Sequence, residues 1–219
     1  MRTVAIALSA LLMQSYPPPV PRDGARRLLE SDRVIVWELQ WPKGKPTSLH
    51  RHDLVQVSIG IEQGPVLVKN LDGSSFVGEG QKLGGIIYGQ KGTVHVEEGQ
   101  SDRSRRAVWV QLKDGVTNRT RPQTAQENAF PPSGTTKAFE NDRVVAWDYT
   151  VPAEVVQHHH TTDYVEVSIS EGQVRRVGAS GIEETLEHHL GTARLGRAGD
   201  VHTEQAVTGQ PRVVIVELK

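Results

Sequence analysis

The sequence predicts an all-β protein built from two tandem β-barrels, with almost no helix. Three observations support this prediction. Short segments rich in β-branched and aromatic residues recur along the 219 residues, glycine-containing turns separate them, and the whole pattern occurs twice. No segment has a sustained helical period.

The chain repeats itself after about 110 residues. Four collinear pairs of blocks, lying 110, 110, 107 and 106 residues apart, carry the repeat: Glu30–Trp37 with Glu140–Trp147, Asp53–Ile59 with Asp163–Ile169, Gly92–His95 with Gly199–His202, and Val110–Lys113 with Val216–Lys219. A slowly drifting separation indicates a duplicated domain with small loop insertions. We therefore predict one barrel over 16–113 and another over 136–219, joined by a linker or extended arm over 114–135.

The predicted strands follow one another in the same order in both copies. They are Val34–Trp41, Leu54–Ile61 and Ala107–Leu112 in the first copy, and Val144–Val151, Val165–Ile169 and Val213–Leu218 in the second. Turn signals lie between them, as at Asp72-Gly73, Gly84-Gly85 and Lys91-Gly92. Many short strands at such intervals are typical of a sandwich or barrel.

Composition excludes several classes of function. Lys and Arg number 25 against 26 Asp and Glu, so no charge excess favours a nucleic acid or an anionic membrane as partner. The chain contains no cysteine, which excludes disulfides, zinc–thiolate sites, iron–sulfur clusters and thiol nucleophiles.

The first residues predict export. Met1-Arg2 precedes the ten-residue apolar run Val4–Met13, which is too short to span a bilayer but suits the hydrophobic region of a signal peptide. The prolines at 17–19 would break a continuing element, although a buried first strand or helix is the alternative. We predict a signal peptide over 1–15, a periplasmic or extracellular protein, and no stable membrane insertion.

Histidines mark a candidate metal site in each copy. Six of the nine histidines occupy similar places in the two copies: His50, His52 and His95 in the first, and His158, His160 and His202 in the second. Two histidines at i and i+2 on a strand share one face, about 7 Å apart along the backbone. Neutral imidazole is a common ligand of divalent transition metals, and three such ligands leave positions open for water or substrate. We expect the other histidines, His159, His188 and His189, at the surface.

A fourth, oxygen ligand is available in each copy. Gln56 and Glu166 align within the repeated D-x-V-x-V-S-I block. We therefore expect one divalent ion per domain (Fe, Mn, Zn, Ni or Cu). We expect tighter binding at the second site, because a carboxylate attracts a cation more strongly than an amide does.

These motifs resemble those of the cupin superfamily. Its first motif is H-x-H followed after a short gap by Glu, and its second is a Gly turn followed by a single His. His50, His52 and His95 match in one copy, where Gln56 replaces the usual Glu. His158, His160, Glu166 and His202 match in the other. The opening and closing phrases of the copies, Glu140–Val144 and Val216–Lys219, resemble those of small, often exported bacterial cupins. The resemblance implies a tandem bicupin of jelly-roll-like barrels.

The second copy leaves two alternatives open. Five residues separate His160 from Glu166, more than the family motif has, so Glu166 can lie out of reach of an ion. An ungapped alignment at an offset of 110 instead pairs His50 with His160 and His52 with Thr162, which would dismantle the second site.

Three functions are consistent with this reading. The resemblance implies a metal-dependent enzyme of dioxygenase or decarboxylase type acting on a small polar substrate, with the metal as Lewis acid. The second function is a non-catalytic protein that binds or senses a sugar or organic acid. The third is a metal-free pair of structural barrels. A homodimer is compatible with each of them, and the catalytic residues are not identified by the sequence.

Overall fold

The two repeats fold into two barrels with the same order of strands. The computed structural model describes residues 15–115 and 128–219, so the predicted signal peptide and most of the predicted linker lie outside the described residues. Barrel 1 consists of β1 (Ala25–Glu30), β2 (Val34–Trp41), β3 (His50–Arg51), β4 (Val55–Glu62), β5 (Val66–Asn70), β6 (Ser75–Gly78), β7 (Ile86–Gly89), β8 (Val94–Gly99) and β9 (Arg105–Leu112). Barrel 2 consists of β10 (Thr136–Glu140), β11 (Val144–Thr150), β12 (Val156–His159), β13 (Tyr164–Ser168), β14 (Gly172–Gly178), β15 (Glu183–His188), β16 (Ala193–Gly196), β17 (Val201–Gly209) and β18 (Arg212–Leu218).

Each barrel closes from one five-stranded and one four-stranded antiparallel sheet. The orders are β1-β2-β9-β4-β7 and β3-β8-β5-β6 in barrel 1, and β10-β11-β18-β13-β16 and β12-β17-β14-β15 in barrel 2. The described residues contain no helix, and therefore none long and apolar enough to cross a membrane. The all-β prediction is confirmed.

The largest apolar cluster lies between the barrels. Because side chains alternate along a strand, Val108, Val110 and Leu112 of β9 point away from the interior of barrel 1, whereas Ala107 and Trp109 point into it. The outward-facing residues of β2, β4 and β9 join those of β11, β13 and β18 in one buried cluster. The two five-stranded sheets thus pack face to face, and this contact stabilises both barrels.

Polar contacts at the edge of this interface have approximate two-fold symmetry. Arg33 donates a hydrogen bond to the carbonyl of Lys219 (3.0 Å), and Arg143 donates one to the carbonyl of Lys113 (3.1 Å). Arg33 also lies 3.6 Å from Asp163, with both side chains buried. The barrels therefore face each other like the subunits of a symmetric dimer.

Since apolar side chains of the large sheets are committed to this interface, the inner face of each sheet is free to carry polar residues. Gln56, Ser58 and Gln111 lie on the inner face of barrel 1 and are nevertheless buried. In each barrel the histidines lie across from these residues, on or next to the strands of the four-stranded sheet.

Candidate metal centre

The three histidines of barrel 1 converge inside it. His50 on β3 pairs directly with His95 on β8, and His52 follows on the same face two residues later. Their candidate ligand atoms all lie within 4.8 Å of one another. His50 and His52 are buried and His95 is half-buried.

Hydrogen bonds fix the orientation of two of these rings. His50 Nδ1 lies 2.9 Å from the Ser48 carbonyl, which only accepts, so Nδ1 carries the proton and Nε2 keeps a free lone pair. His52 Nδ1 likewise donates to the side-chain oxygen of Gln56 at 2.9 Å. The Nε2 atom of His50 is buried and has no hydrogen-bond partner in the part of the chain that the structure describes. Both rings thus present a bare Nε2, which is the form that ligates a metal.

The distances between ring nitrogens fit a shared ion. His52 Nε2 and His95 Nε2 are 3.0 Å apart. Two nitrogens that each lie about 2.1 Å from one ion, at a right angle, are about 3.0 Å apart. The residues present therefore fit a divalent metal.

Burial favours the neutral form of two of these imidazoles, those of His50 and His95. Desolvation lowers the pKa of His95 to about 4 and holds the pKa of His50 below its usual value. A buried carboxylate, Glu97, lies next to them on β8 and accepts a hydrogen bond from the Trp41 indole N–H at 2.9 Å. Burial favours its neutral form, but the nearby His95 ring, the Trp41 hydrogen bond and the Arg105 guanidinium outweigh this and lower the pKa of Glu97. The site therefore combines imidazole nitrogens with a buried carboxyl group whose pKa is lowered.

A cavity of about 410 Å³ connects this cluster with the outside of barrel 1. Polar groups in its wall include those of His52, His95, Glu97, Arg105 and Gln56. Apolar residues also line it: Val66, Val68, Phe76, Ile87 and Trp109. Its size and mixed lining suit a small organic ligand.

The histidines of barrel 2 also converge, but they are more enclosed. His158 on β12 pairs with His202 on β17, as His50 pairs with His95, and the candidate ligand atoms of His158, His160 and His202 lie within 4.8 Å of one another. All three residues are buried. The His160 ring is stacked between Tyr164 (centroids 3.7 Å apart) and Phe130 (4.8 Å).

A cationic side chain contacts this second cluster. Arg176 Nη2 lies 2.9 Å from His202 Nδ1, 3.3 Å from the Tyr164 hydroxyl, and in a short hydrogen-bonded ion pair with Asp200. A pocket at the mouth of barrel 2 is lined by Arg176 and Asp200 but by none of the three histidines. The two clusters thus share a histidine arrangement and differ in what surrounds it.

Solved structures with this architecture are known. AerE from Microcystis aeruginosa superposes with a TM-score of 0.63 at 10% identity, covering 93% of this chain and 98% of that one. A cupin 2 conserved barrel domain protein from Leptotrichia buccalis gives 0.54 at 10% identity over 89% and 88%. The fold is that of a bicupin. Bacillus subtilis oxalate decarboxylase, solved in a study of its Mn(II) centres, gives 0.57 at 12% identity over 86% and 69%. No family model matches the sequence, and no curated protein matches it.

The structure decides the alignment of the second histidine motif. His50 and His158 occupy equivalent positions opposite His95 and His202. The alignment that pairs His50 with His158 and His52 with His160 is therefore correct, and the ungapped alternative is wrong.

The predicted oxygen ligands lie at different places. Gln56 is in contact with His52 Nδ1, on the far side of the ring from Nε2, so it orients the ring in this structure. Glu166 lies outside the histidine group, with Oε1 3.9 Å from His188 Nε2, and burial raises its pKa. Metal ligation by these two residues stays a prediction.

Two features of the structure were missed by the sequence analysis: the burial of two histidines and a buried carboxyl group in each barrel. His159 and His188 are buried rather than exposed; His188 lies 3.0 Å from the Ser168 hydroxyl, and only His189 is exposed. Glu97 and its counterpart Glu204 were overlooked. The repeated H-x-E pattern that begins at the distant histidine could have identified them, because residues i and i+2 on a strand share one face.

Proposed function

We propose that barrel 1 is a metal-dependent catalytic domain in which His50, His52 and His95 hold one divalent ion. The buried Nε2 of His50, which has no hydrogen-bond partner among the described residues, carries this proposal, because burying a polar atom without a partner costs about 1–3 kcal/mol unless another ligand, such as a metal, satisfies it. Barrel 2 also has buried histidine nitrogens of this kind, but there Arg176 already contacts the third histidine of the cluster. The similarity in fold to a Mn(II)-containing decarboxylase supports it. The metal would supply Lewis-acid activation of a small substrate.

The remaining residues of the cavity provide substrate binding. Arg105 packs over the Trp41 ring at 4.5 Å and presents a fixed positive charge at the cavity wall. The buried Glu97 follows His95 by two residues on the same face of β8 and lines the same cavity, so it can accept or return a proton beside the metal position. Val66, Phe76 and the other apolar residues of the wall exclude water from a hydrocarbon portion of the ligand. A small organic acid or a phenolic compound has the matching polar and apolar parts.

The experiment that tests this function combines metal analysis with a substrate panel. We expect the purified protein to retain metal after dialysis, and His52→Ala to lose the metal of barrel 1. His189→Ala is the matched control, because His189 is exposed and pairs only with Glu171 among its described contacts. Oxygen consumption and carbon dioxide release are then measured with dicarboxylates and phenols. Metal content unchanged by His52→Ala would refute the site, and metal binding without turnover would make barrel 1 a ligand-binding domain.

A further inference from the structure

The interiors of the two barrels differ at one equivalent position. On β5, Val68 lies opposite Glu97 of β8; on β14, Arg176 lies opposite Glu204 of β17. Since Glu97 and Glu204 each follow the distant histidine by two residues, Val68 and Arg176 occupy the same place in the two barrels. Val68 lines the cavity of barrel 1, whereas Arg176 extends to the histidine cluster of barrel 2.

Arg176 uses the donor atom that a metal would need. A guanidinium only donates hydrogen bonds, so His202 Nδ1 must accept from it and the ring proton lies on Nε2. The same guanidinium is fixed by the Tyr164 hydroxyl and by the Asp200 carboxylate. His202 in this arrangement offers no free lone pair to an ion.

Charge also opposes a metal at this cluster. Arginine stays protonated in proteins, and a permanent positive charge in contact with a proposed ligand repels a divalent cation in a poorly solvated interior. The half-buried Asp200 and the buried Glu204 of barrel 2 already have a cation close by. Arg176 thus supplies the positive charge that a metal would otherwise provide.

We propose that the histidine cluster of barrel 2 holds no metal ion, that Arg176 is its resident cation, and that position 68/176 decides which barrel is a metal site. The expected total of one ion per chain rests on the function proposed for barrel 1. The inference that barrel 2 binds no metal does not rest on that function. His158 Nδ1 and His160 Nδ1 are buried without hydrogen-bond partners, so barrel 2 retains donors that become usable once Arg176 is removed.

Equilibrium dialysis against Zn²⁺, followed by elemental analysis, tests this inference on the full chain. We expect one bound ion in the wild type, two in Arg176→Val, none in Val68→Arg, and one in the double variant. Arg175→Val is the matched control: Arg175 is the neighbouring residue on β14, bonds Gln205, and should leave the count at one. Adding His160→Ala to Arg176→Val should remove the gained ion.

The outcomes separate the two proposals. A wild type with two ions, one of them lost in His160→Ala, would overturn the inference, as would a folded Arg176→Val variant with no additional ion. A wild type with no ion and an Arg176→Val variant with one would refute the metal site of barrel 1 and support the inference. If Arg176→Val fails to fold, as judged by circular dichroism, the number of bound ions is compared between the wild type and His160→Ala. An equal number supports the inference, and the loss of an ion in His160→Ala overturns it.

Discussion

Replacing Ile59 with alanine should destabilise both barrels, although the residue belongs to the first. Ile59 is fully buried in the cluster between the two five-stranded sheets. The change removes three carbon atoms at about 0.8 kcal/mol each and leaves a cavity, so we expect a loss of about 3–4 kcal/mol in the free energy of unfolding. Ile182→Ala makes the same chemical change at a residue that is 71% exposed and should cost less than about 0.5 kcal/mol.

Hydrogen–deuterium exchange followed by mass spectrometry distinguishes a shared core from two independent ones. If the barrels unfold together, Ile59→Ala should accelerate exchange of the most protected amides by roughly two to three orders of magnitude in β11 and β18 as well as in β2 and β9. Urea unfolding should remain a single transition with an unchanged slope. Unchanged protection in β11 and β18 would refute the argument that the interface stabilises barrel 2.

Three further predictions concern the interface and the metal. Arg33→Ala should lower the free energy of unfolding in urea by about 2 kcal/mol, because it removes the hydrogen bond to the Lys219 carbonyl and the ion pair with the buried Asp163, which keeps Arg197 and the Ala198 N–H as partners. Arg27→Ala at an exposed pair should cost below about 1 kcal/mol. Gly84→Ala should cost about 2 kcal/mol, since φ is 75° and a Cβ would lie 2.8 Å from the Ile169 side chain; Gly73→Ala, with φ 84° and open space around it, should cost about half as much. Chelation should remove about 2.7 kcal/mol of stability from a protein that was held in free metal at 100 times its dissociation constant, and the melting temperature should fall accordingly. An unchanged melting temperature would contradict the metal site.

The fold was predictable because both the duplication and the composition of the strands can be read directly from the sequence. The location of the main core was not, since alternation shows that a strand has two different faces but not what covers each of them. On β4, Val57 and Ile59 face the other barrel while Gln56 and Ser58 face the cavity. Every residue of that strand except Glu62 is consequently buried.

The histidine clusters were predictable from spacing, whereas their surroundings were not. The expectation of a tighter second site depended on the charge of Glu166, and nothing in the sequence places Arg176 beside His202. That contact becomes visible only when β14 is paired with β17. Long-range partners of this kind decide the electrostatics of a site, and no motif carries them.

The pseudo-symmetric interface also has an evolutionary consequence. In a dimer of identical subunits every substitution enters both copies at once, so an arginine that closes one lumen closes the other as well. Fusion of the two copies into one chain removes that constraint while the contacts of Arg33 and Arg143 keep the dimer-like geometry. The two halves of this chain accordingly carry different residues at one equivalent position, Val68 in the cavity wall of barrel 1 and Arg176 beside the histidines of barrel 2.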